Sequence, residues 1–132
     1  GAAGVYKRRG KDGARREEGL AASDLVLLGP PSDNPLVARV VEKLPVTFGK
    51  GFFTYDGTTY PRPDDGLYLC LPNPWNSERV VWLFAGNSAL ELHQMTKAYT
   101  GSLPQWAIWR GDEIRSRGWA PVERFVFGTF AE

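Results

Sequence analysis

The stretch LVLLGPPSDNPLVARVVEKL, residues 25–44, decides the fold class. Leu25 to Leu28 is a short, unbroken apolar run closed by Gly29, Pro30 and Pro31, the pattern of a strand buried on both faces. Asn34 is a good helix N-cap, and Pro35 fits the first helical position, where no N–H is needed. Leu36, Val37, Val40, Val41 and Leu44 then share one helical face, with Arg39, Glu42 and Lys43 opposite, and Pro45 stops the helix. The same plan recurs downstream. Arg79 to Phe84 is a strand, residues 85–88 turn, and a helix runs from Ala89 to about Tyr99. Ala89, Leu92, Thr96 and Tyr99 share a face of that helix, and Gly101 ends it. Helices between buried strands predict an α/β domain whose sheet is covered on both faces.

The rest of the pattern is antiparallel. Residues 46–48, 52–55 and 58–60 are short β-type segments, separated by Gly49-Lys50-Gly51 and by Asp56-Gly57, the latter a strong hairpin signal. Residues 61–66 form a loop and Leu67 to Leu71 a strand, and Pro72-Asn73-Pro74 makes a rigid turn. Trp106 to Trp109 is a strand, Gly111-Asp112 a turn, Glu113 to Trp119 the hairpin partner, and Arg124 to Phe127 a last strand. The expected architecture is a mixed, partly parallel sheet with helices on its faces and an antiparallel hairpin insert at about 46–60. Residues 1–23 have no apolar period and read as a flexible basic arm or linker with room for one loose helical turn, and 24–132 as a single domain with order beginning at Asp24.

Composition excludes several function classes. An apolar content of 42% and a charged content of 23% suit one globular domain rather than a disordered chain. A net charge of +1 gives no field strong enough to gather nucleic acid or anionic lipid. Lys7, Arg8, Arg9, Lys11, Arg15 and Arg16 do crowd the arm, but Glu17 and Glu18 partly cancel them, and no aromatic platform beyond Tyr6 is interleaved. Nucleic acid is therefore not an expected partner. Cys70 stands alone, so neither an internal disulfide nor a Cys-rich zinc site can form. No apolar run approaches the ~20 residues of a membrane helix, and the N-terminus lacks the apolar core of a signal peptide. These features suit a soluble domain and leave its compartment open.

Catalytic motifs are incomplete. Gly86-Asn87-Ser88-Ala89-Leu90 sits where a hydrolase nucleophile elbow would sit, but the elbow calls for Gly at the last of these positions. The single histidine, His93, lies on the same helix and cannot reach round to the Ser88 hydroxyl. Ser88 and Glu91 instead spell a capping box. Asp64-Asp65 and Asp112-Glu113 are acidic pairs in turns that nothing in the sequence brings together. No catalytic residue, metal ligand or cofactor is assigned. Two readings remain. If the two strands are parallel neighbours, both helix starts lie at one end of the sheet, where free N–H groups attract anions and open α/β sheets bind ligands. Gly29, Ser32, Asn34, Gly86, Asn87 and Ser88 would then line a site for a small anionic ligand or nucleotide, although neither loop has a phosphate-binding glycine motif. Alternatively, five tryptophans, Trp75, Trp82, Trp106, Trp109 and Trp119, offer contact surface for another domain or protein. Strand alternation places Trp106 and Trp109 on opposite faces of the sheet.

The order of several short motifs resembles a known module. Residues 25–31 with 34–38, Leu44-Pro45 before the β insert, Gly66-Leu67 leading to Pro72-Asn73-Pro74, and Arg79-Val80-Val81 leading to Ala85-Gly86 look like an α/β module of multidomain bacterial proteins. There the module accompanies a prolyl-oligopeptidase-like or esterase-like hydrolase domain. The resemblance covers about half the chain, residues 24–90. The opening around Gly29-Pro30 and Asn34-Pro35 is also similar to surface-layer and cell-wall-binding repeats. In the hydrolases the triad lies in the other domain. The resemblance therefore implies a non-catalytic accessory or interaction domain, with its tryptophan-rich strands and Pro-Asn-Pro turn as contact surfaces.

Overall fold

The apolar run at 25–28 forms β1 (Leu25–Leu28), which lies parallel to β6 (Asn76–Gly86), with Leu25 opposite Val81 and Leu28 opposite Phe84. The computed structural model describes residues 19–119. β6 turns back on β5 (Asp65–Asn73) as a long hairpin, and β5 pairs in turn with β7 (Trp106–Arg110), which pairs with β8 (Glu113–Gly118). The sheet order is β1-β6-β5-β7-β8, with every pair antiparallel except the first. A second, three-stranded antiparallel sheet holds β2 (Val46–Gly49), β3 (Phe52–Tyr55) and β4 (Thr58–Tyr60). Asp56 and Gly57 both take positive φ in the β3–β4 turn, the geometry that the Asp-Gly signal predicts. The fold is thus α/β with a mixed sheet and a hairpin insert.

The two faces of the large sheet carry separate cores. On the first, Leu25, Leu27, Leu67, Leu69, Val81 and Leu83 meet Leu36, Val37 and Val40 of α1 (Pro35–Val41), together with Val46, Phe53 and Tyr55 of the small sheet. On the second, Tyr68, Phe84, Ala107 and Trp109 meet Met95 of α2 (Ala89–Ala98), with Leu92, Ala98 and Tyr99 at its margin. Trp106 packs into the first core and Trp109 into the second, as alternation requires. The rings of Tyr68, Phe84 and Tyr99 stand 5.0 to 5.4 Å apart in tilted and edge-on pairs.

Three sequence expectations are corrected. Order begins before Asp24, because the helical turn allowed for in this segment, residues 19–22, is packed rather than loose and buries Leu20 completely. Buried Asn73 anchors this turn, donating from Nδ2 to the carbonyls of Leu20 at 2.6 Å and Ser23 at 3.0 Å. The first helix stops at Val41 rather than Leu44, since the N–H groups of Lys43 and Leu44 each bond a carbonyl three residues back. The buried face of α2 centres on Glu91 and Met95, while Ala89 is exposed. Two glycines cause this rotation. A Cβ on Gly86 would lie 2.6 Å from the Leu92 backbone nitrogen, and one on Gly66 would lie 2.7 Å from the Met95 sulfur and 3.0 Å from a Glu91 carboxylate oxygen. Gly66 and Gly86 are cross-strand partners, so together they make a flat seat for the first turns of α2. The expected basic arm through Arg16 and the expected last strand at Arg124 to Phe127 lie outside the described residues.

Gly86→Ala is expected to cost about 2 kcal/mol or more, because the added methyl meets helix backbone rather than a movable side chain. Denaturant unfolding measures it, and an unchanged midpoint would show that α2 does not rest on this seat.

Candidate functional site

α1 and α2 leave the carboxyl ends of two adjacent parallel strands toward opposite faces of the sheet. This is a topological switch point, the place where open α/β sheets form a ligand crevice. The Gly29 N–H donates to the Phe84 carbonyl at 2.8 Å, which sets the two post-strand loops side by side. Gly29, Ser32 and Asn34 lie on one loop and Gly86, Asn87 and Ser88 on the other.

Most polar groups among these six serve the chain itself. Asn34 is buried, and its Oδ1 accepts from the Leu36 N–H at 2.9 Å, capping α1. Asn87 Nδ2 donates to the carbonyls of Tyr60 and Arg62, both at 2.8 Å, and its own N–H donates to the Asp65 carbonyl at 3.0 Å. Ser88 Oγ accepts from the Glu91 N–H at 3.1 Å and donates to the Pro63 carbonyl at 2.8 Å. The β4–β5 loop is thereby strapped across the start of α2. Ser32 is exposed, and Gly29 takes a positive φ with open space about its Cα.

Only half of the expected capping box forms. The Glu91 side chain does not return to the N-cap. It turns under the helix and is 1% exposed, and neither carboxylate oxygen has a hydrogen-bond partner. Around it the structure assembles the acidic residues that the sequence left apart. Pairing of β5 with β7 sets Asp65 opposite Arg110, and the Gly111 N–H donates to the Asp64 carbonyl at 2.9 Å, bringing Asp112 to the same rim. Asp65 is buried rather than a solvated turn residue. It accepts from the Arg62 N–H at 3.0 Å and pairs with Arg110 Nε at 3.4 Å. Asp64 pairs with Arg62 at 2.9 Å, and that hydrogen bond holds its carboxyl below the usual range.

Burial pushes the Glu91 pKa up to about 7, and Asp64, Asp65 and Asp112 add to the rise. The Gly111 N–H faces the carboxylate and opposes the shift, but its hydrogen bond goes to Asp64. Among the described residues, nothing at this rim completes a catalytic relay. The Ser88 hydroxyl is committed to a carbonyl, and His93 is exposed. Among the described residues, no group of three or more His, Cys, Asp and Glu could hold a metal ion. A shallow hollow of about 350 Å³ beside the small sheet, lined by residues 44–47, Thr54, Asp56 and Gly57, carries a single ionisable side chain.

A second feature lies on the α2 face. Ten helical residues span about 15 Å, whereas the eleven residues of β6 span about 35 Å. α2 sits over the carboxyl end of β6, and among the described residues the sheet beyond it is only partly covered, with Tyr99 and Leu103 after the helix packing on the same face. There Val26, Trp82 and Cys70 form one row across β1, β6 and β5, with Val80 and Pro72 in the row beyond. Leu28 stands beside Phe84 and is 46% exposed, and the others are half-buried. Burial pushes the Cys70 thiol pKa up, which makes it an apolar group rather than a nucleophile. Of the five tryptophans, Trp75 and Trp106 flank the first core, Trp109 fills the second, Trp82 belongs to this row, and Trp119 is 74% exposed. The Pro-Asn-Pro turn uses its buried asparagine internally.

The Ser-x-x-Glu spacing assigns Glu91 to a capping box with Ser88, and that reading hides its burial under the helix. The signal for it was the pair of glycines within otherwise bulky strands, which marks close backbone approach. No family model, curated protein or solved structure matches this chain. Among the described residues, no helix is long and apolar enough to cross a membrane.

Glu91 gives the domain a pH-dependent stability of defined sign. Its folded pKa of about 7 lies above the ordinary value of 4.5 for a glutamate, so the folded state holds the extra proton between these limits. Stability is then greatest below the lower value, falls as pH rises toward 7, and levels off above it. Glu91→Gln is expected to raise the melting temperature by several degrees near pH 8, on the order of 2 kcal/mol, and to change it little near pH 4.5. Melting curves of both proteins across this range check it.

Proposed function

We propose that this is a non-catalytic interaction domain, of the accessory kind that the sequence resemblance implies, and that it docks another domain or protein on the α2 side of its large sheet. The observation that carries the reading is the row Val26–Trp82–Cys70 with exposed Leu28, an apolar surface that the described residues leave half-buried. A half-covered sheet face with a tryptophan at its centre provides large apolar area and little conformational freedom to lose on binding. The Ser88 hydroxyl, committed to the Pro63 carbonyl, fits a domain that performs no turnover.

Site-specific photo-crosslinking in the producing cells tests this. A benzophenone side chain at Leu28 is expected to give one discrete adduct, and the same group at exposed Thr59 none. Trp82→Lys should abolish the Leu28 adduct. Equal or diffuse labelling from both positions would remove the proposal.

The switch-point geometry favours a second reading, a small anionic ligand or nucleotide held between the loops at Gly29 and Gly86. A thermal-shift screen with phosphate, nucleotides and sugar acids separates the two. A ligand at about 100 times its dissociation constant adds about 2.7 kcal/mol, several degrees for a domain of this size. The interaction reading expects no shift. A reproducible shift with one anion class, lost in Asn34→Leu or Asn87→Leu, would support the ligand reading instead.

A further inference from the structure

Among the described residues, two side chains buried under α2 have unpartnered polar atoms, and the two are complementary. Glu91 is 1% exposed and neither carboxylate oxygen has a hydrogen-bond partner. Trp109 is 1% exposed and its indole N–H has none. Buried polar atoms of a native fold are nearly always satisfied. Here one group only accepts when ionised, and the other only donates.

Strand register sets them against the same residue. Gly66 has Trp109 as its cross-strand partner on β7, and a Cβ built on Gly66 would lie 3.0 Å from Glu91 Oε2. The Trp109 ring packs in the core of Met95, whose sulfur would lie 2.7 Å from that same Cβ. Gly66 has no side chain to put between the ring and the carboxylate. Gln94, one turn along α2 from Glu91, faces the same way, with Oε1 3.6 Å from a Cβ built on Gly111 just past the end of β7. The flank of α2 that carries Glu91 is therefore turned toward β7.

Other charges do not satisfy the carboxylate. Asp64 and Asp65, on the β4–β5 loop and the start of β5, and Asp112 in the β7–β8 turn repel it. Arg62 and Arg110 are paired with Asp64 and Asp65. On α2 itself, His93 and Lys97 are exposed. The Gly111 N–H faces the carboxylate and favours its ionised form, but its hydrogen bond goes to the Asp64 carbonyl. A buried carboxylate needs donors, and the indole N–H is a buried donor in need of an acceptor.

We infer that Glu91 and Trp109 form a proton-gated couple between α2 and β7: once Glu91 is ionised, its carboxylate turns about its terminal torsions and accepts the Trp109 indole N–H. The step is one proton leaving the Glu91 carboxyl for solvent and one hydrogen bond forming. A bond to an ionised acceptor is about twice as strong as one to a neutral carboxyl, so the proton decides whether the couple is closed. When closed, it ties the first turn of α2 to β7, beyond the seat that Gly66 and Gly86 provide on β5 and β6.

Nuclear magnetic resonance of the whole chain reads both partners. The isotope-labelled Glu91 carboxyl carbon should titrate at about pH 7. Replacing Trp109 with its benzothienyl isostere, which puts sulfur where the ring N–H was, is expected to raise that midpoint by about one pH unit or more, a tenfold loss of acidity. The same replacement at Trp82, which lies in the row through Cys70 rather than beside Gly66, should leave it in place. In the natural protein the Trp109 indole proton should move downfield through the Glu91 midpoint. That movement should vanish in Glu91→Gln and survive in His93→Gln. An unmoved midpoint in the Trp109 isostere, or an equal rise in the Trp82 isostere, would overturn the couple. So would an indole proton that is flat with pH, or one that still titrates in Glu91→Gln. The indole measurement uses the natural chain, so it decides the matter even if an isostere fails to fold.

Discussion

Gly66 and Gly86 face each other across β5 and β6, and α2 rests its first turns on the space where two side chains would be. That contact sets the height of the helix above the sheet, and the height sets much else. Leu92 backbone comes within touching distance of the strand, Met95 drops into the second core, and Glu91 is carried inward with it. A helix held farther off would leave the glutamate on a wet flank, as its charge suggests. The buried carboxyl is thus a consequence of backbone approach, which makes the same two glycines responsible for a tight interface and for the least comfortable group within it.

The fold was largely legible because its signals are local. The apolar run ending at Leu28, the cap at Asn34 with Pro35, and the Asp56-Gly57 hairpin each state a preference within a few residues, and each is realised. The repeated strand–turn–helix plan left parallel pairing of β1 with β6 as a condition, and the structure meets it. The site was less legible because it depends on register. Nothing near Asp65 in the chain announces that Arg110 will lie opposite, or that the Gly111 N–H will reach the Asp64 carbonyl. Asp64-Asp65-Gly66 looks like a turn by composition, yet β5 begins at Asp65 and buries it. Such long-range pairing is what single-sequence reasoning has no means to see.

The two sides of the sheet are finished to different degrees. On one, α1, the small sheet and the turn carrying Leu20 close over a continuous core. On the other, one helix covers the carboxyl end of β6 and leaves a tryptophan-centred row in partial contact with water. Closure on the first side is shared among three elements drawn from distant parts of the chain. Closure on the second rests on α2 with Tyr99 and Leu103 just after it, and both the half-covered apolar row and the buried carboxyl lie on that face.

The single parallel pairing also has a consequence for the order of assembly. β5 with β6 and β7 with β8 are hairpins, closed by short turns. β1 meets β6 only after the chain has returned from Asp24 to Val80, fifty-six residues later, where the Asp24 carboxylate accepts the Val80 N–H at 2.9 Å. Closing so long a loop carries its entropic cost before any contact repays it. The antiparallel hairpins can therefore form first and offer β6 as a template, with β1 and α1 docking last.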